Sequence, residues 1–366
     1  MSIENKKLIV VLGMHRSGTS AITRGLQVMG VDLGKQLPPA MSDNQKGFWE
    51  DADINSINIE MLATINSDWH HLVPIEKIDV ETLIKKGFLL RAAVLLREKI
   101  NNAPIFGFKD PRVAKLLPFW QKVFTHCQLD VSYVVALRHP LSVVSSLAAR
   151  NHFDTVKSYL LWLGHVITCL TENVAYKRVF VDYDILLQSP NEELKRIAEC
   201  LALEIAPLEL KKYTEEFLEP ALRHTVYDLS DLQADENCPH IVREIYSSLL
   251  AVASDQLKID SPELQNNIST WFNEFNRMKP YLLLMDKLHK QGEVSNNTVI
   301  NQSEQITEFN HALTNRDQQV TELNHALTNR DQQVTELNHA LTNRDQQVTE
   351  LNHALTNRDQ QVTELN

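Results

Sequence analysis

Cysteine is scarce in this 366-residue sequence, and so are long apolar runs and excess positive charge. The four cysteines, Cys127, Cys169, Cys200 and Cys238, lie far apart in the chain. None pairs at the close spacing of a zinc or redox motif, which argues against a disulfide framework and a cysteine-held metal. The longest apolar stretch, Tyr159 to Leu170, is too short to span a bilayer. Met1 to Lys7 is polar and leads directly into a β-branched run, so no signal peptide is expected. A soluble, cytoplasmic protein without a membrane span is the resulting expectation. Lys and Arg together number 36 against 47 Asp and Glu, a formal net charge of −11. That balance excludes non-specific nucleic-acid binding, which needs a basic face. Residues 306–366 hold four Arg, no Lys and nine acidic residues, so −5 of the charge belongs to the tail. An anionic ligand of the remaining chain therefore requires a local basic site, not a global field.

What is present is an alternation of short β-branched runs and helical patterns. Lys7 to Leu12 reads as a buried strand, followed by a glycine-containing turn and a helix from about Gly18 to Met29. Strands are predicted at 105–108, 131–137 and 178–181, each followed by a helix, at 113–124, 141–150 and 191–201. Inserted helices are expected at 51–65, 80–100 and 155–175, and the reading beyond Leu203 is helical. Such alternation implies an α/β fold: a P-loop-like three-layer sandwich whose mostly parallel sheet is flanked by helices.

The tail is a different object. The unit Val-Thr-Glu-Leu-Asn-His-Ala-Leu-Thr-Asn-Arg-Asp-Gln-Gln begins at Val320, Val334 and Val348, with a degenerate copy at Ile306 and a partial one at Val362. Fourteen residues make two heptads. With Val320 at position a, Leu323 falls at d, Leu327 at a and Arg330 at the next d. Three core positions in four are apolar, and Arg316, Arg330, Arg344 and Arg358 take the fourth. A long C-terminal helix follows, about 90 Å over the repeats at 1.5 Å per residue. It is read as a coiled coil that joins copies of the chain into a homo-oligomer; a solvated single helix is the alternative. The implied domains are 1–291, a linker at 292–305 and the repeats at 306–366.

Three segments carry chemistry. Gly13-Met14-His15-Arg16-Ser17-Gly18-Thr19-Ser20 follows the first strand and opens a helix, the arrangement that cradles phosphates with backbone N–H groups. Its spacing parallels the nucleotide-triphosphatase loop, but Thr19 stands where those proteins need lysine. Without that lysine the β/γ-phosphates go unneutralised, and Arg16 supplies a fixed charge with several donors. Arg138-His139-Pro140 leaves the third strand and enters a helix with Pro140 near its first turn, placing Ser146 about two turns on. Arginine plus a hydroxyl suits a phosphate monoester. Gly107-Phe108-Lys109-Asp110-Pro111-Arg112 ends the second strand and offers Lys109 to stabilise developing negative charge; the bland alternative is an Asp110–Arg112 surface pair beside a solvated lysine.

The Arg16-Ser17-Gly18-Thr19 loop and the Arg138/Ser146 pair resemble the two cofactor signatures of the sulfotransferases that use 3′-phosphoadenosine 5′-phosphosulfate (PAPS), and Phe180-Val181-Asp182-Tyr183-Asp184-Ile185-Leu186 is similar to a strand-exit segment of that fold. The resemblance covers roughly residues 7–203 and extends to bacterial members and to tyrosylprotein sulfotransferases, which also carry arginine in the loop and a Lys-Asp-Pro segment. It implies PAPS as donor, PAP as product and no required metal. It further implies that His15, Arg16, Ser17, Gly18, Thr19 and Ser20 hold the 5′-phosphosulfate, that Arg138 and Ser146 hold the 3′-phosphate, and that Tyr183 approaches the cofactor. Arg16 and Lys109 become charge stabilisers. The late Arg-Lys-Gly contact of the family is missing, with Arg223-His224 as a substitute.

On the acceptor side, Asn44-Gln45-Lys46-Gly47-Phe48-Trp49-Glu50-Asp51 precedes a helix. Glu50 is the candidate general base for an acceptor hydroxyl; carbohydrate, lipid-linked saccharide, peptide tyrosine and small metabolite all fit as acceptor, and carbohydrate leads only because the family resemblance implies it. The alternative is an early-helix glutamate favoured by the macrodipole. His15, His70, His71 and His139 are rival bases. At the level of function, two further readings remain: a P-loop kinase-like phosphotransferase, which needs an acidic magnesium ligand such as Asp110, and a non-catalytic scaffold that only binds PAP or PAPS.

Overall fold

The computed structural model describes residues 6–38, 46–101, 103–172, 176–218 and 227–364. The chain divides into two units, Met1–Leu288 and His289–Asn366. In the first unit four strands, β1 Lys7–Leu12, β2 Ile105–Lys109, β3 Asp130–Leu137 and β4 Lys177–Asp182, form one sheet in the order β2-β1-β3-β4. Every pairing is parallel, with Lys7 opposite both Ile105 and Asp130.

The period-two pattern of β1 explains the layers. Leu8, Val10 and Leu12 point to one face, where Phe106, Phe108, Tyr133 and Val135 join them in the larger core. Ile9 and Val11 point to the other, with Val134, Ala136, Val179 and Val181. That second face is covered by α1 Thr19–Gln27 through Ile22 and Leu26, and by α9 Pro190–Leu201 through Leu194, Ile197 and Leu201. The first face is covered by α2 Ala52–Thr64, α4 Phe88–Asn101, α5 Pro111–His126 and α7 Thr155–Thr171. The three-layer α/β sandwich expected from the sequence is the observed architecture.

The helix expected over 80–100 is instead two, α3 Lys77–Lys85 and α4, because Gly87 takes a φ of 85° that an L-residue disfavours and a helix does not use. The remaining elements follow the reading closely: α6 Pro140–Asn151 and α8 Tyr183–Gln188 leave β3 and β4, and α10 Pro207–Lys212, α11 Leu229–Ala234 and α12 His240–Ala253 make the later part helical. The last helix, α13 Pro262–Glu364, buries Leu264, Ile268, Trp271 and Phe275 in the first unit. Residues 292–305, read as a linker, are helical. No helix among the described residues is long and apolar enough to cross a membrane.

Strand order places the site. The chain leaves β1 for one neighbour, β2, and then crosses to its other neighbour, β3. In an open parallel sheet the crevice at such a reversal lies outside the carboxyl ends of the strands. Those ends are Leu12, Lys109, Leu137 and Asp182, and the segments singled out in the sequence follow them directly.

Candidate active site

The loop after β1 wraps tightly. Ser17 N–H donates to the Met14 carbonyl at 3.2 Å, and Arg16 sits in the left-handed region at φ 70°. A non-glycine residue there costs of order 1 kcal/mol or more, a strain that persists where surrounding contacts impose it. Gly18 is the N-cap of α1 at φ 75°, with no side-chain cap, so the first-turn N–H groups of that helix face outward from its end. A Cβ on Gly18 would lie 2.1 Å from Cδ2 of Tyr183. Both the backbone and the ring therefore require glycine. Gly18→Ala is expected to lower thermal stability, which melting of the variant measures.

Tyr183 is placed by its own capping system. Asp182 closes β4 and accepts from the N–H groups of Asp184 and Ile185, at 2.9 and 3.2 Å, starting α8 at Tyr183. Its second oxygen accepts from the Tyr246 hydroxyl at 3.3 Å. Burial, with Asp184 nearby, pushes the Asp182 carboxyl up to about 6.

Arg16, Arg138, Ser146 and Tyr183 are brought together from three strand ends. Arg16 Nε donates to Ser146 Oγ at 2.8 Å. Arg138 Nη1 donates to the Arg16 carbonyl at 2.9 Å, and its guanidinium lies 5.0 Å over the Tyr183 ring. Arg138 Nε is buried with no hydrogen-bond partner among the described residues. Buried orphan donors are rare in folded proteins, and this one sits on a cation beside a glycine turn. Ser17 and Thr19, by contrast, are buried within the loop, so their side chains shape it. Arg223 and His224 lie outside the described residues.

The second group lies at the end of β2. Lys109 is 2 % exposed and donates to Glu50 Oε1 at 2.8 Å, with Ser20 Oγ at 3.4 Å. Glu50 Oε2 accepts from Asn55 Nδ2 at 2.7 Å. Lys109 is thus neither solvated nor on a surface. Glu50 is not an early-helix residue either: Asp51 is the N-cap of α2, accepting from Asp53 and Ile54, and Glu50 precedes it. Trp49, at φ 55°, bends the chain so that Glu50 is buried.

Asp110 does pair with Arg112 at 3.1 Å, but as a buried carboxylate. Its Oδ1 also accepts from Arg112 N–H, capping α5, and its Oδ2 accepts from Asn58 Nδ2 at 2.9 Å. Asn58 in turn accepts from Trp120 Nε1 at 2.8 Å. Burial raises the Asp110 pKa and Arg112 opposes it. Oδ1 thus holds the start of α5, and Oδ2 ties it to α2. Asn55 and Asn58 escaped the sequence reading; their only signal is the helical spacing that places them beside Ile54, Ile57 and Met61.

His15 carries a buried Nε2 with no partner among the described residues, and its ring packs 4.4 Å from Trp69. Burial above all, and then Arg112, His165, Lys109 and Arg150, hold it well below the usual histidine range, so the imidazole is neutral at pH 7. His70 stands 3.7 Å from Asp68, and the His71 pKa is lowered mainly by burial. His139 Nε2 lies 2.9 Å from the Asp228 carbonyl at the start of α6, a structural contact. Trp69 also meets Phe153 at 5.6 Å, forming an aromatic wall beside His15.

The fold and site together define a doubly wound parallel α/β protein with a strained glycine-turn loop at its switch point and a buried Lys–Glu pair next to it. Two of the solved structures that the chain resembles are sulfotransferase domains. One belongs to the Synechococcus PCC 7002 olefin synthase (15 % identity, 75 % of this chain and 95 % of that one, TM-score 0.36) and another to the curacin biosynthetic pathway (15 %, 73 % and 98 %, 0.36). A third is retinol dehydratase in complex with androsterone and PAP (11 %, 74 % and 81 %, 0.32). No protein-family profile and no curated protein matches the sequence. At these low scores the chemistry has to be read from the side chains.

Proposed function

We propose that the first unit moves a sulfuryl group from PAPS to an acceptor hydroxyl, with a saccharide as acceptor. The observation that carries this is the buried Lys109–Glu50 pair, held 3.4 Å from Ser20 of the glycine-turn loop. The pair sets a cation and a carboxylate beside the loop that would hold the phosphosulfate. PAPS fits the residues present. The outward N–H groups at Gly18 and the Arg16 guanidinium would take the 5′-phosphosulfate, and the orphan Nε of Arg138 would take an oxygen of the 3′-phosphate. Tyr183 would close the nucleotide end.

In the reaction the acceptor oxygen attacks sulfur in line with the bridging oxygen of the donor. A new S–O bond forms as the bond to PAP breaks, and the electron pair leaves on PAP. Glu50 accepts the acceptor's proton, while Lys109 and Arg16 stabilise the charge growing on the bridging oxygen. A carboxylate has about four lone-pair sites, so Glu50 keeps capacity for the acceptor hydroxyl beyond Lys109 and Asn55.

Isothermal titration with PAP tests the donor: binding independent of magnesium is expected, and binding of ATP–magnesium in its place would make the chain a phosphotransferase. Turnover of labelled PAPS with sugars and phenols then separates an enzyme from a PAP-binding scaffold. Arg138→Ala is expected to weaken PAP by about 1.5–3 kcal/mol, the scale of a hydrogen bond to a charged group. Unchanged affinity would place the 3′-phosphate elsewhere.

A further inference from the structure

The second unit displays a stripe of large apolar side chains along one helix. Ile306, Phe309 and Leu313 open it, and Val320, Leu323 and Leu327 repeat at the same heptad positions to Val362; each is between 50 % and 73 % exposed. The repeat offers little internal support. Arg330 has Ala326, Leu327, Gln333 and Val334 three and four residues away, and no acid, so the usual helical ion pair is missing. Isolated polar helices without such pairs depend on packing.

The arginines decide what can pack there. A parallel partner in register would set Arg316, Arg330, Arg344 and Arg358 each against its own copy, four like-charged layers inside one seam. A parallel partner shifted by one heptad would avoid this by facing each arginine with leucine. That contact is asymmetric and leaves one heptad of apolar stripe uncovered at each end. Reversing one chain places a positions opposite d positions. Every arginine then faces leucine or valine, its stem covers apolar surface and its guanidinium reaches the flank, where Asp317, Asp331 and Asp345 occupy the next heptad position. The antiparallel arrangement alone is two-fold symmetric, covers the whole stripe and has no arginine–arginine layers.

We infer that the second unit is a homodimerisation element in which two copies of the repeat helix pair antiparallel. The partner is thus a second copy of this chain.

The test uses the full chain carrying Thr314→Cys with a nitroxide label, and the labelled unsubstituted chain as the control for native cysteines. Thr314 is exposed and lies off the stripe. Sedimentation should give a dimer. Pulsed electron resonance should give a label separation of about 65–70 Å, from the 1.5 Å rise and full overlap of the repeats. A separation below about 30 Å means parallel chains and overturns the inference, as does a monomer at tens of micromolar or a trimer. Replacing all four arginines, Arg316→Leu, Arg330→Leu, Arg344→Leu and Arg358→Leu, should add a short-distance population. A single long distance in that variant would show that charge does not set the orientation.

Discussion

Glu50→Gln is expected to lower turnover by about 10²–10⁴-fold, the range supplied by a positioned general base, with PAP affinity at the wild-type level. The substitution is nearly isosteric, and an amide oxygen can still accept from Lys109, now 2.8 Å from Glu50 Oε1. What it removes is the capacity to take a proton. Asn55 Nδ2 would meet an amide nitrogen at the other end, a clash that rotation of the Asn55 amide relieves. The measurement is kcat at saturating PAPS together with PAP titration. Turnover within a few-fold of wild type would exclude Glu50 and transfer the role to His15, a neutral imidazole within the loop whose Nε2 has no partner among the described residues. A joint loss of turnover and PAP binding would instead mean that Glu50 matters by holding Lys109 and Ser20 in place.

The sequence made the sheet and the loop readable because both are encoded locally. The continuous β-branched apolar run of β1, and glycine at the N-cap of α1, are short-range signals whose physical causes lie within a few residues. The Arg138–Ser146 segment was legible for the same reason, with Pro140 marking the first helical turn. What joins these pieces was not. Arg16 and Ser146 are 130 residues apart, and Arg138 and Arg16 are 122 apart; no periodicity reports such contacts. The Glu50–Lys109 pair spans 59 residues, and only the fold shows that the lysine is buried and paired.

Two segments take a form that local rules do not suggest. Gly87 divides a helix that composition presents as continuous, because a left-handed glycine ends α3 where a single glycine in a helix would merely weaken it. Gly292 and its polar neighbours read as a linker, yet the helix runs through them. One glycine costs a helix about 1 kcal/mol, which the long flanking stretches absorb. Glu50 illustrates a subtler competition. An acidic residue at a helix start is ordinarily explained by capping, but Asp51 takes that role and leaves Glu50 to pair with Lys109.

Lys109 allows structure and chemistry to be separated by a double-mutant cycle. Lys109→Met keeps the length of the side chain but removes the charge that neutralises Glu50. Breaking a buried pair by deleting one member costs about 3–5 kcal/mol, since the other charge stays buried without compensation. Denaturant unfolding should register that loss in Lys109→Met. Adding Glu50→Gln removes the stranded charge, so the double variant should regain most of the stability of wild type. Turnover should behave oppositely. Lys109→Met lacks the proposed stabiliser of the leaving oxygen, and the double variant lacks the proposed proton acceptor as well, so both should stay inactive while PAP binding in the double variant persists. A double variant that is stable and regains turnover would make the pair a structural device of the β2 end. One that stays as unstable as Lys109→Met would mean that Ser20 and the loop depend on the ammonium itself, not on its partner.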